Sequence, residues 1–138
     1  MGFKIDLTLD CVDAERLAEF YKAAFGYLDE PPPAPFATRQ EWLAQFEDED
    51  DGGGGAWLYD PDGVAPRLCL LDVPEPKTAK NRLHMDIRAS AAGPPERRWE
   101  LVSAEVDRLV GLGARRVTEF AGHHVVMADP EGNEFCVA

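Results

Sequence analysis

Two four-residue segments, Asp60-Pro61-Asp62-Gly63 and Asp129-Pro130-Glu131-Gly132, constrain the fold of this chain more than any other feature. Each reads as a tight turn, because proline fixes φ at the second position and glycine relieves strain at the last. Each also stands near the end of the same series of patterns: a strand, a helix, a glycine, further strands, the turn and a closing strand. The turn alone repeats by identity; the rest repeats as pattern. Two copies of one supersecondary unit ordinarily pack about a pseudo-twofold with a concave surface between their sheets.

Along the first copy, Phe3, Ile5, Leu7, Leu9 and Cys11 alternate with Lys4, Asp6, Thr8 and Asp10, the period of a half-buried strand. Asp13 reads as a helix N-cap, Leu17, Phe20, Tyr21 and Ala24 fall at helical spacing, and Gly26 suits a left-handed cap. Residues 30–55 read as an insertion. It holds four prolines up to Pro35, a short helix over 38–46 with Trp42 and Phe46, an acidic run and four glycines. Charge repulsion and glycine entropy predict high mobility over residues 48–55. Strands are expected at 56–59 and 67–73.

A connector over 74–82 leads to the second copy. There the expected elements are a strand at 83–88, a loop, and a helix at 96–112 capped by Gly113. Strands follow at 115–120, 124–128 and 133–138. The fold class is therefore α+β, with a first βαβββ-like module over 1–73, a connector, and a second over 83–138. Two such modules are expected to leave a concave cleft between their sheets.

Composition narrows the function classes. The net charge of −12, from 26 acidic and 14 basic residues, opposes binding to nucleic acid or to anionic membranes. No apolar run approaches the length of a membrane span and no leader pattern opens the chain, so a cytoplasmic location is the default expectation. Cys11, Cys69 and Cys136 are odd in number, widely spaced and set in apolar stretches, which reads as three buried thiols rather than a disulfide framework. Lys77, Lys80 and Arg82 form the one basic cluster. They read as a solvated connector, with contact to an anionic ligand as the lesser alternative.

Several segments together carry a family resemblance. They are Thr8-Leu9-Asp10-Cys11, Leu17-Ala18-Glu19-Phe20-Tyr21 with Gly26-Tyr27, the stretch from Val73-Pro74-Glu75-Pro76 to Leu83-His84-Met85-Asp86, Leu109-Val110-Gly111-Leu112-Gly113, and Asp129-Pro130-Glu131-Gly132-Asn133-Glu134-Phe135-Cys136. In this order and spacing they resemble the glyoxalase/bleomycin-resistance (vicinal oxygen chelate) superfamily, most closely its small glyoxalase-like domains. The resemblance implies paired βαβββ modules around a ligand cavity. It spans lyases, isomerases and dioxygenases that use a metal, and metal-free proteins that sequester antibiotics, so fold does not settle function.

In the metal-dependent members each module supplies one ligand from its first strand and one from its last. Those positions fall here on Asp6, His84 and Cys136, with the fourth best matched by Cys69, or by Leu68 or Leu70 after an alignment slip. His84 alone is an ordinary ligand of the pattern. The set Asp6, Cys69, His84, Cys136 could hold zinc in principle, but a divalent metal is the minor reading and no cofactor follows firmly. Strand parity adds Asp86 and Arg88 beside His84, and Glu134 beside Cys136, as cavity lining. Trp42 and Trp57 are the aromatic candidates for a flat ligand, with Trp42 and Phe46 either a lid or an anchor of the insertion. Two functions stay open: a homodimeric small-molecule-binding protein of sequestration type, and a glyoxalase-type lyase or isomerase using His84 as a general base, with or without a metal.

Overall fold

A computed structural model describes residues 2–46 and 54–138. The chain divides into two compact units, Met1–Pro76 and Lys77–Ala138. Each holds one four-stranded mixed sheet with a helix against one face, and neither sheet closes into a barrel.

The first unit runs β1 (Leu7–Cys11), α1 (Ala14–Phe25), β2 (Leu28–Asp29), α2 (Arg39–Ala44), β3 (Gly55–Tyr59) and β4 (Leu68–Asp72). Its strand order is β1-β4-β3-β2, with β1 parallel to β4 and the other pairs antiparallel. Two carboxylates hold the start of α1. Asp13 accepts from Arg16 N at 3.1 Å, and Asp72, at the end of β4, accepts from Ala14 N at 2.6 Å. Acceptors there satisfy first-turn N–H groups and complement the helix dipole. Gly26 ends the helix at φ 72°, with its N–H on Lys22 O. The buried face of α1 is Ala14, Leu17, Ala18, Phe20, Tyr21 and Ala24, and it packs on β3 and β4.

The second unit runs β5 (Asp86–Ile87), α3 (Arg98–Gly111), β6 (Arg115–Phe120), β7 (His124–Ala128) and β8 (Glu134–Val137). Short 3-10 turns occupy Ala89–Ala92 and Pro95–Arg97. The strand order is β5-β8-β7-β6, with the same mixture of one parallel and two antiparallel pairs as the first unit. Val102, Val106 and Leu109 of α3 are buried, as are Val125, Met127, Phe135 and Val137 of the sheet.

Several elements are shorter than the sequence pattern predicts, for identifiable reasons. The alternation from residue 3 becomes ladder only from Leu7, whose N–H reaches Arg67 O; Phe3 and Ile5 remain 84% and 74% exposed. The partner strand begins at Leu68, just after Pro66, which has no N–H to give. The strand expected at 83–88 pairs with β8 only at Asp86 and Ile87, with Met85 O accepting one further bond from Cys136 N. The helix expected from 96 starts at Arg98, because Pro94 and Pro95 set up a 3-10 turn first.

β2, which the pattern does not announce, lies just before the insertion, and the insertion supplies α2 where a helix is expected. Residues 48–53 of the stretch expected to be mobile lie outside the described residues. Gly54 O accepts from Asp72 N, and Gly55 opens β3. A Cβ on Gly55 would lie 2.7 Å from the Trp57 ring and 3.1 Å from Leu70 O, so glycine permits this approach. The reading of three buried thiols needs one correction: Cys11 and Cys69 are buried, but Cys136 is half-buried on the face of its sheet away from α3. Among the described residues, no helix is long and apolar enough to cross a membrane.

Candidate functional site

In the second unit, burial alternates along β7 and β8, and the inward residues lie under α3. The opposite face is open. Register carries one row across it, from Asp86 to Cys136 to Val126 to Thr118. His84 stands two residues before Asp86, and period-two parity sets it on the same face. Its Nδ1 lies 3.6 Å from Asp86 Oδ1, with the His84 side chain 38% and the Asp86 side chain 63% exposed. His84, Asp86 and Cys136 each bring a ligand atom within 4.8 Å of the others. Burial pushes the Cys136 thiol up, the neighbouring Asp86 carboxylate adds to the rise, and Lys80 opposes it. Arg88 is exposed and directly follows β5.

The same register places His124 and Phe120 on this face, as a directly opposed pair. Their rings stack at 4.5 Å and 16°. Neither was singled out from sequence. The signal was available, since His124 and Val126 share parity, but it needed the β7–β8 register to point toward Cys136 rather than toward the helix.

Glu134, on the same strand face as Cys136, is held by polar neighbours. It accepts from Asn81 N at 2.9 Å and pairs with Lys77 Nζ at 3.0 Å, so it ties residues 77–81 to β8. Lys77 is thus paired rather than a free solvated charge. The Asn81 N–H and Lys77 hold the Glu134 carboxyl well below the ordinary range, at about 2. A carboxylate whose folded value is depressed stabilises fully above its ordinary pKa near 4.5, and that stability is lost as the pH falls toward 2. Glu134→Gln is therefore expected to remove about 1 kcal/mol of the acid-induced loss of stability, after allowance for solvent screening. Urea unfolding of both proteins at neutral pH and near pH 3 checks this; parallel pH dependence would exclude the clamp.

In the first unit, Asp6, Trp57 and Cys69 gather on the face away from α1, for Thr8, Cys69 and Trp57 form one row across the sheet. Asp6 Oδ2 lies 3.7 Å from Arg67 Nη1, and Arg67 also grips the Glu30 carboxylate through Nε and Nη2. Cys69 is 6% exposed, and burial pushes its thiol up. Leu68 and Leu70 point the other way, into the core, at 2% and 0% exposure.

Thr38 caps α2 by accepting from Glu41 N, while Glu41 accepts from Ala37 N. This fixes Arg39 and Trp42 on one side. The Arg39 guanidinium lies 4.5 Å from the Trp57 ring centroid and 4.9 Å from that of Trp42. The two indoles meet edge to face at 5.5 Å. Arg39 Nη1 is buried without a hydrogen-bond partner among the described residues, and the cation–π attraction offsets part of that desolvation. Trp42 and Trp57 thus clamp Arg39 and fasten α2 to β3. A cleft of about 350 Å³ beside this clamp is lined by residues including Glu15, Lys22, Asp29, Glu30, Arg39 and Trp57.

The model of the glyoxalase-like domain matches residues 6–138. The chain belongs to the glyoxalase-like domain family. Solved structures share this fold. The fosfomycin resistance protein FosX from Mesorhizobium loti is similar at 12% identity and a TM-score of 0.63, over 99% of this chain and 90% of that one. FosX from Listeria monocytogenes, solved with Mn(II) and sulfate, is similar at 12% identity and a TM-score of 0.63, over 99% and 91%. A glyoxalase/bleomycin resistance protein/dioxygenase family enzyme from Burkholderia phytofirmans PsJN is similar at 14% identity and a TM-score of 0.58, over 95% and 93%. No curated protein matches.

For a glyoxalase-like domain, the donor groups decide whether a metal fits. The first unit's two positions fit poorly: Asp6 lies beside the Arg67 cation, and Cys69 is a buried thiol. The second unit's positions fit better, because His84 and Cys136 are joined there by Asp86. Imidazole, carboxylate and thiol together are donors that zinc accepts.

Proposed function

We propose that this glyoxalase-like protein binds a small aromatic or polar metabolite on the open face of its second unit, holding it rather than transforming it. The observation that carries this reading is the group His84, Asp86 and Cys136, on the face that also bears the Phe120–His124 stack. A few convergent polar groups orient a ligand, and an exposed ring supplies contact area. Titration calorimetry with benzoate and phenylphosphonate, as small aromatic probes, tests it. Saturable binding is expected for the wild type, weakened about tenfold or more in His84→Ala with an unchanged melting temperature. Equal behaviour of the two proteins, including no uptake by either, would overturn the reading.

The His84–Asp86 pair supports a second reading. A histidine 3.6 Å from a carboxylate is arranged as a general base, which suits a lyase or isomerase of glyoxalase type. Turnover of a hemithioacetal by the wild type but not by His84→Ala would favour it over sequestration. We also read the protein as a homodimer, since all six residues of edge strand β6 are exposed, Phe120 and Val117 among them. Light scattering that shows a monomer at micromolar concentration would exclude this.

A further inference from the structure

We propose that His84, Asp86 and Cys136 form a mononuclear zinc site contained entirely within the second unit. The proposal rests on the reading of this face as the ligand site and gives the ligand a specific partner there. It also departs from the superfamily pattern of two ligands from each module, because the third donor is Asp86 and neither Asp6 nor Cys69 takes part.

The backbone assembles the site. Asp86 and Cys136 are direct partners in the parallel β5–β8 pair, so their side chains leave the sheet side by side. Cys136 N bonds to Met85 O, which holds the residue between His84 and Asp86 against β8. Three donors thus come from two adjacent strands. A site built on strands has less freedom to drift than one built on loops.

The distances suit the ion. Zinc binds sulfur at about 2.3 Å and nitrogen or oxygen at about 2.0–2.2 Å, so donors of a tetrahedral set stand roughly 3.3–3.6 Å apart. His84 Nδ1 and Asp86 Oδ1 are already 3.6 Å apart. The widest donor pair, within 4.8 Å, closes by small side-chain rotations. The donor types choose among metals. Thiolate and imidazole favour zinc over magnesium, calcium or manganese, which prefer oxygen ligands. Three protein ligands leave one tetrahedral position, and the exposure of His84 and Asp86 leaves it open to an oxygen or nitrogen atom of a bound small molecule. The His123–His124 contact, with the two Nδ1 atoms 2.6 Å apart, lacks such a third donor among the described residues.

Cobalt(II) titration of the metal-free full-length chain tests the site, since cobalt reports thiolate ligation through a near-ultraviolet charge-transfer band and tetrahedral geometry through visible absorption. One cobalt per chain is expected, displaced by zinc. Cys136→Ser should lose the charge-transfer band. His84→Ala and Asp86→Asn should weaken zinc binding about tenfold or more. Asp6→Asn should leave it unchanged. Circular dichroism of each variant confirms that it has folded. A wild type without the thiolate band, a Cys136→Ser protein that keeps it, or an Asp6→Asn loss as large as that of Asp86→Asn would each overturn the site. A chain that binds the aromatic probes but no cobalt refutes the zinc site and leaves ligand binding standing. Cobalt uptake without probe binding does the reverse.

Discussion

Replacing Asp129 by alanine is expected to destabilise the second unit by about 3–5 kcal/mol, several times the effect of the same change at Asp60. The two aspartates open turns of the same type, yet their surroundings differ. Asp129 is 2% exposed, and its carboxylate accepts from Glu131 N, Asn133 N and Asn133 Nδ2, with Asn133 itself 7% exposed. Removing it leaves buried donors without an acceptor, and each costs about 1–3 kcal/mol. Asp60 also accepts three N–H groups, from Asp62, Val64 and Ala65, but in solvent, where water replaces the lost acceptor. Those bonds hold its carboxyl below the usual range. Urea denaturation of both variants measures the difference. Equal losses would mean that the buried Asp129–Asn133 contact contributes little.

The second large effect is expected at Leu70. Its side chain is fully buried beneath α1, so Leu70→Ala should cost about 2–5 kcal/mol from lost transfer energy and the cavity left behind. Cys69→Ala, one residue away on the other face, removes only one sulfur atom beside Thr8 and Trp57 and should cost much less. The pair of variants reads strand parity directly, through the shift in denaturation midpoint at constant slope. A larger loss for Cys69→Ala would place Cys69 in the core and Leu70 on the open face, contrary to the register.

These residues also show how far local pattern reaches. Alternation identified β1, and the Asp13 and Gly26 caps bounded α1, because caps and turns act through neighbours in sequence. The same logic found both Asp-Pro-acid-Gly turns. It could not shorten the strand expected from residue 3, because ladder bonds need a partner, and the partner's start after Pro66 is a fact about a distant segment. Nor could it choose between Leu68, Cys69 and Leu70 as the outward residue, since a slip of one residue reverses every side chain.

The candidate site divides in the same way. His84, Asp86 and Cys136 were named from family position and parity, and their closeness follows from the β5–β8 register. Glu134 shares their face, and the fold also makes it a clamp on Lys77 and Asn81. Trp42 and Trp57, candidates for a flat ligand, each hold Arg39 against one ring, and Trp57 also lines the neighbouring cleft. His124 and Phe120 do not stand out in the sequence because the parity that His124 shares with Val126 points toward Cys136 only through the β7–β8 register.

The sequence by itself determined the α+β class, the doubled order of elements, the two turns and the helix caps. All of these depend on backbone preferences and on periodicities read within about a dozen residues. The tertiary structure alone decided which donors share a space and which polar groups neutralise one another. It paired Asp86 with Cys136 across 50 residues of sequence, and Glu134 with Asn81 across 53. The physical reason is that hydrogen-bond register between distant strands, and not the character of either strand, sets the distances on which coordination and ion pairing depend.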